Sequence, residues 1–203
     1  MNSQPNIAIL ILAAGNSSRM GEPKQLLPWK NTFLLHHTIH TAVHLKNSKT
    51  FVVLGTNHEL IKPKIQHNDI SIIYNKNWKL GLGSSIAFGV KSIMESEQKF
   101  EGVLIMLSDQ PLIDSNYLDG LISLFKAGNS QIIASVYEPE KLGVPTLFDN
   151  YYFEELSELN QDKGAKKVIT VHIDHVISVN ANHLITDIDT KEDYEKLYKA
   201  NHQ

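Results

Sequence analysis

The chain contains no cysteine among its 203 residues. That absence removes disulfides, thiolate zinc sites, iron–sulfur clusters and cysteine nucleophiles together. No apolar run approaches the roughly 20 residues that a membrane helix needs. The first apolar run, 7–14, is short and has no basic flank, so the expectation is a soluble, cytoplasmic chain without a signal peptide. Nor is there a surplus of positive charge: 19 Lys+Arg against 22 Asp+Glu leave a formal net charge of -3. A general nucleic-acid or anionic-membrane surface is thereby disfavoured, while a local basic pocket stays open. Internal repeats, low-complexity tracts and Pro/Gly/Ser linkers are also missing. With 42% hydrophobic and 20% charged residues, the composition is that of an ordinary globular protein, and the length favours one domain over 1–203.

What is present alternates. Residues 7–12, 50–54, 70–74 and 103–107 are continuous apolar stretches of strand length, the pattern of strands covered on both faces. Between them, Leu35, Ile39, Ala42 and Val43 fall on one helical arc, and Ile86, Val90, Ile93 and Met94 on another. A further helix is expected over about 114–126. The order predicts an α/β chain, a three-layer Rossmann-like fold with a mostly parallel sheet. After Gln131 the pattern loosens. Strands are expected at 132–137, 144–148, 175–179 and 184–188, with helices at 153–159 and 191–199.

The first expected strand runs into LAAGNSSRMGEPK, residues 12–24. Open parallel sheets bind ligands at the carboxyl ends of their strands, which puts this loop at the expected site. Small residues let a backbone approach closely, Gly15 can offer its N–H, and Arg19 and Lys24 supply cationic donors, all of which suits a polyphosphate. An ordinary turn with two surface cations explains the same residues equally well. A Walker loop does not fit, because five residues separate Gly15 from Gly21 and Glu22 follows. A dinucleotide fingerprint does not fit either: Gly81-Leu82-Gly83 is followed by Ser84-Ser85-Ile86, with no third glycine in place.

LAAGNSSRMGEPKQLL resembles the signature of nucleotidyltransferases that move a nucleoside monophosphate from an NTP to a phosphorylated acceptor. Within them the chain is most similar to the MobA-like NTP transferases, and among these to molybdenum cofactor cytidylyltransferases. Further blocks match in order: Gly83-Ser84-Ser85-Ile86, Ser108-Asp109-Gln110-Pro111, Gly143 to Phe148, Asp162-Lys163-Gly164-Ala165 and Asp187-Ile188-Asp189-Thr190. The resemblance implies a nucleotide site made by Leu12, Ala13, Ala14, Gly15, Arg19 and Lys24, with the two cations on the triphosphate. It also implies contacts from Gly83, Ser84 and Ser85 to base and ribose, and a Mg2+ ion on Asp109. Arg19, Lys24 and Asp109 become the expected catalytic groups, and Gln110, Pro145, Lys163 and Gly164 the acceptor-side residues. CTP is the expected donor, because the guanylyl branch carries Gly at Ala14 and Asp at Pro23. A partner enzyme that receives the cofactor is implied as well.

The acidic residues also have readings of their own. Asp109 stands at the mouth of a buried strand, where a carboxylate must be solvated, paired or metal-bound. Helix capping is the alternative, but Asp114 and Ser115 are better placed for it. Asp187 and Asp189, two apart on an expected strand end, share a face and suit a hard cation; Thr190 with Asp193 resembles a capping box, and Asp189 could itself cap the last helix. Ser84 could equally be the N-cap of its helix. His36, His40 and His44 recur at four-residue spacing opposite the apolar arc, and read as a solvated face rather than a metal site. Trp29, beside Pro28, could rim the pocket, while Trp78 reads as packing. Val144 stands where the relatives usually have His, and Lys191 where they usually have Pro. No histidine falls in any motif block, so no general base is offered; a phosphate monoester, already a dianion at neutral pH, needs none. A pyrimidine nucleotidyltransferase acting on a sugar or polyol phosphate and a nucleotide-binding module without turnover remain the alternatives.

Overall fold

A computed structural model describes residues 4–66, 69–138, 141–160 and 164–202. The first strand, β1 (Ile7–Ala13), is buried along its whole length. Its side chains alternate between two cores: Ala8, Leu10 and Leu12 face one, Ile7, Ile9, Ile11 and Ala13 the other. A strand with period-two side chains can be apolar at every position only when both faces are covered, which explains the uninterrupted run.

The strands β4 (Ser48–Leu54), β5 (Ile70–Tyr74) and β6 (Gly102–Leu107) extend this parallel sheet, with Ile11 opposite Val52 on one side and Met106 on the other. A two-residue hairpin, β2 (Pro28–Trp29) with β3 (Thr32–Phe33), lies apart from it. The helices α1 (Leu34–Val43), α2 (His58–Ile61), α3 (Leu82–Met94) and α4 (Ser115–Leu124) connect the strands. Ile86, Val90 and Ile93 of α3 cover one face; Leu35 and Ile39 of α1 and Leu118 and Leu121 of α4 cover the other. The expected three-layer α/β arrangement is present.

The second half adds β7 (Ile132–Glu138), β8 (Lys141–Asp149), α5 (Phe153–Ser157), α6 (Lys166–Val171), β9 (Val176–Asn180) and α7 (Lys191–Asn201). The sheet order is β5-β4-β1-β6-β8-β7-β9. Only β8 runs against its neighbours, and β9 returns parallel to β7 at the edge.

Two expectations need correction here. Residues 184–188 form no strand: 182–184 are a 3₁₀ turn, and Ile188 is fully buried with Met20, Leu27, Trp29 and Leu34 in a third, smaller core. Its N–H donates to the Asp109 carbonyl at 3.0 Å, so this segment is fixed to the loop after β6 instead of to a sheet edge. Trp29 does not rim a pocket. It is 1% exposed, packed edge-on against Tyr198 and His202. The histidine face largely follows expectation, with His40 and His44 exposed and His36 half-buried against Phe33. No helix among the described residues is long and apolar enough to cross a membrane.

Candidate functional site

The parallel strands β1, β4 and β6 end together, and the chain after β1 crosses that edge. Its course is set from two sides. Gln25, 1% exposed, donates from Nε2 to the carbonyls of Ala13 and Gly15, both at 3.0 Å. Ser17, held at φ +52°, accepts the Lys24 N–H on its hydroxyl at 3.0 Å. Beneath the loop, Gly55 allows close approach: a Cβ there would lie 2.4 Å from the Ala14 carbonyl oxygen and 2.7 Å from Trp78 Cβ. Above it, nothing stands within 4 Å of where a Gly15 Cβ would be. The loop is thus supported below and open above, so its backbone can face a ligand.

Lys24 reaches across to the loop after β6. Its Nζ pairs with Asp109, donates to the Ile188 carbonyl at 3.2 Å and lies 3.6 Å from Asp189 Oδ1. Arg19 is far more exposed and sits 3.4 Å from the other oxygen of Asp189. Asp109 itself is buried, and its Oδ1 has no hydrogen-bond partner among the described residues. The adjacent Gln110 donates to Asp187 Oδ1 at 2.9 Å. The Asp187 carboxyl is pushed above the usual range, first by desolvation in this concave site and further by Asp109 and Asp189; the Gln110 hydrogen bond and Lys24 oppose the shift. The two aspartates flank buried Ile188, so both reach the site although no strand is formed.

The capping duties are carried elsewhere. Asp114 accepts the Tyr117 N–H at 2.8 Å at the start of α4, and Thr190 forms a capping box with Asp193 at the start of α7. Neither Asp109 nor Asp189 serves as a cap. Among the described residues no three His, Asp or Glu side chains converge into a group able to hold an ion; Asp189 faces Arg19 and Lys24 rather than joining Asp109 and Asp187. The unpartnered Asp109 oxygen and the Asp187 carboxyl are nevertheless hard, anionic donors of the kind that fits a divalent cation sharing its remaining positions with phosphate or water.

A cleft of about 340 Å³ opens between this loop and α3, lined by Leu12 to Asn16, Lys24, Trp78, Ser85 and Asp109. Gly81, at φ +100°, turns the chain into α3. Ser84 is the third helical residue, and its hydroxyl donates to the Gly81 carbonyl at 3.0 Å, so it is not the N-cap. Gly83 and Ser85 are buried. Asn75, fully buried just beyond β5, donates from Nδ2 to the hydroxyls of both Ser84 (3.2 Å) and Ser85 (3.1 Å). One acceptor position of the Ser85 hydroxyl is thereby used from behind, and Ser85 itself lines the cleft.

A second cleft of about 240 Å³ adjoins the first and shares Leu12, Leu82 and Leu107 with it. Its lining is mostly apolar, including Ile86, Leu142, Val144 and Ile169, with Gln110, Tyr137, Lys166 and Asp187 as polar groups. Gly164 lines it, and a Cβ there would stand 3.1 Å from Leu82. Pro145 is buried in β8 and does not line this cleft; Val144 does. Lys163 falls outside the described residues. Gln25 and Asn75 escaped the reading by residue type, and Trp78, expected as packing, packs against the core and also lines the first cleft. Position offered a signal for Asn75, a polar residue immediately after a strand on the ligand-binding edge.

The model of the MobA-like NTP transferase domain matches residues 9–176. Over 97% of its length the chain is 27% identical to the purine catabolism protein PucB of Bacillus subtilis, 98% of which is covered. Among solved structures, Rv0371c of Mycobacterium tuberculosis superposes with a TM-score of 0.81 at 25% identity, covering 97% of this chain and 100% of that one. A manganese complex of the same mycobacterial protein gives a TM-score of 0.75 at 24% identity, over 96% and 99% of the two chains. The 4-diphosphocytidyl-2C-methyl-D-erythritol synthase of Anaerococcus prevotii shares the fold, with a TM-score of 0.74 at 16% identity over 98% and 97%. With its cation-bearing loop opposite a carboxylate mouth and the family model matched over most of its length, the chain belongs to the MobA-like NTP transferase domain family and is a nucleotidyltransferase.

Proposed function

We propose that the chain transfers CMP from CTP, with Mg2+, to the phosphate of a molybdopterin-type acceptor and releases pyrophosphate. The observation that carries this reading is the pair of adjoining clefts. One has Asp109 and Lys24 on its wall and the other has Asp187, with the consecutive residues Asp109 and Gln110 at the divide. A donor in the first cleft and an acceptor in the second would meet there. An acceptor phosphate oxygen attacks the α-phosphorus in line, the bond to the β-phosphate breaks, and pyrophosphate leaves. Arg19 and Lys24 neutralise the phosphates. Asp109 and Asp187 would hold the divalent cation, which supplies charge neutralisation; the manganese complex of the mycobacterial relative supports divalent metal use.

Among the described residues no histidine lines either cleft. This favours an acceptor that needs no deprotonation, as a phosphate dianion does not. The apolar wall of the second cleft favours a flat heterocycle over a sugar or polyol, whose hydroxyls would go unpaired against Leu142, Val144 and Ile169. CTP is preferred over GTP because the buried Ala14 methyl stands where the guanylyl branch has glycine; such steric differences are worth about 1–3 kcal/mol. On this reading one domain carries the whole reaction in the cytoplasm and passes the product to the enzyme that uses it. The test is mass spectrometry of products from each of four NTPs with molybdopterin, sugar phosphates or polyol phosphates. A cytosine dinucleotide of the pterin, with kcat nearly flat between roughly pH 7 and 9, is expected. Product formed only from sugar or polyol phosphates overturns the acceptor, and NTP binding without pyrophosphate release overturns catalysis.

A further inference from the structure

Lys24 occupies an unusual position for a residue assigned to phosphates. Its ammonium does not lie over the open face of the loop. It is directed into the acidic mouth, where it pairs with Asp109, donates to the Ile188 carbonyl at 3.2 Å and stands 3.6 Å from Asp189. The Lys24 side chain is 16% exposed and that of Asp109 12%. One carboxylate oxygen of Asp109 is therefore taken by an ammonium, and the other is buried with no partner.

We propose that Lys24 is the resident counter-ion of this mouth and makes cation binding depend on the nucleotide. The proposal rests on the reading that both bind here. An ammonium and a divalent ion cannot share Asp109 without strong like-charge repulsion, because Lys24 already holds one oxygen of the carboxylate whose other oxygen the ion would approach. The ion binds well only after Lys24 leaves, and leaving costs the partly buried ammonium its anionic partners unless another anion receives it. The triphosphate is that anion. Lys24 lines both the main cleft and the small recess formed by Gly15 to Arg19, so a rotation of its side chain moves Nζ from Asp109 to the phosphates without moving the loop. Gln25 and Ser17 keep the backbone at Lys24 in place during this exchange. The metal then enters with the nucleotide and not before it.

The experiment measures Mn2+ binding by electron paramagnetic resonance, with and without a non-hydrolysable CTP analogue. Wild-type protein should bind Mn2+ alone weakly, and at least about tenfold more tightly with the analogue, as expected from freeing a charge-assisted partner. Lys24→Gln should bind Mn2+ alone about tenfold more tightly than wild type and lose most of the dependence on nucleotide. Lys24→Arg, which keeps the charge, should retain it. A second readout needs no variant: the ¹⁵N side-chain ammonium signal of Lys24 should be unmoved by Mg2+ alone and shift when Mg2+ and the analogue are added together. Tight Mn2+ binding by wild type alone, or an unchanged affinity in a folded Lys24→Gln, overturns the counter-ion role while leaving the nucleotide site standing. Failure to bind the nucleotide under any condition overturns both.

Discussion

Replacing Gln25 by alanine should loosen the loop after β1 and destabilise the whole chain. The amide holds two carbonyls at once, those of Ala13 and Gly15, each at 3.0 Å. The two acceptors differ in what happens next. Gly15 is exposed, so water replaces the lost donor there; Ala13 is 2% exposed, so water does not replace the donor its carbonyl loses. One water-replaced hydrogen bond at about 1 kcal/mol and one buried carbonyl left short of a donor at about 1–3 kcal/mol give roughly 2–4 kcal/mol. For a chain of this size that lowers Tm by about 5–10 °C. Gln25→Glu should do at least as much damage, because it preserves volume but turns the donor group into a second acceptor facing two carbonyl oxygens. Thermal unfolding followed by circular dichroism measures the first effect, and calorimetric titration with CTP the second, a fall in affinity of about tenfold as the loop loses its preformed shape. If Gln25→Ala melts within about 1 °C of wild type and binds CTP normally, the loop is held by something other than this amide and the argument is wrong.

Asp109→Asn should leave the far-ultraviolet spectrum intact while cutting kcat by at least about a hundredfold, roughly 3 kcal/mol of lost charge stabilisation; near-normal turnover in the folded variant would remove Asp109 from the chemistry. Asp187→Asn should be inactive yet more stable at neutral pH. The folded carboxyl titrates above its unfolded value, so the native state binds more protons across that interval, and stability falls as pH rises through it. Removing the charge should therefore raise Tm above the folded titration point and change little well below the unfolded one; equal Tm differences at acid and neutral pH would contradict this. Gly55→Ala should cost about 1–3 kcal/mol and weaken CTP binding, because the added methyl would stand 2.4 Å from the Ala14 carbonyl and must push the loop outward. Unfolding in urea and CTP titration check both parts.

Much of the fold was legible because it rests on local pattern. A run such as 7–12 is apolar at every position only if both faces are covered, and the structure divides β1 between two cores as that requires. The helix starts at Asp114 and Thr190 were legible for the same reason, since a cap and its N–H partner lie within three residues. Residues 184–188 misled because their alternation is real but serves a different purpose. Ile188 points into a small core with Trp29 and Met20, Asp187 and Asp189 stand on either side of it, and no neighbouring strand takes part. Alternation reports which way side chains point; it does not report whether a hydrogen-bonded partner strand is there.

The candidate site was legible as a set of residues but not as a set of pairs, and the difference lies in sequence separation. Lys24 and Asp109 are 85 residues apart, and Gln110 and Asp187 are 77 apart. Residue type showed that each was chemically capable; only the meeting of the β1, β6 and 185–189 segments determines which carboxylate faces which cation. The same meeting explains the unequal fates of the two expected phosphate ligands. Arg19 lies on the exposed outer part of the loop and pairs with the rim aspartate Asp189, while Lys24 follows the turn at Pro23 and is carried under the loop toward Asp109. Two cations from one motif therefore enter different dielectric surroundings. The outer one is screened by water, and the inner one is held by a partly buried carboxylate. On the proposed function, a loop built this way would attract the nucleotide with one charge and couple its arrival to the carboxylates with the other.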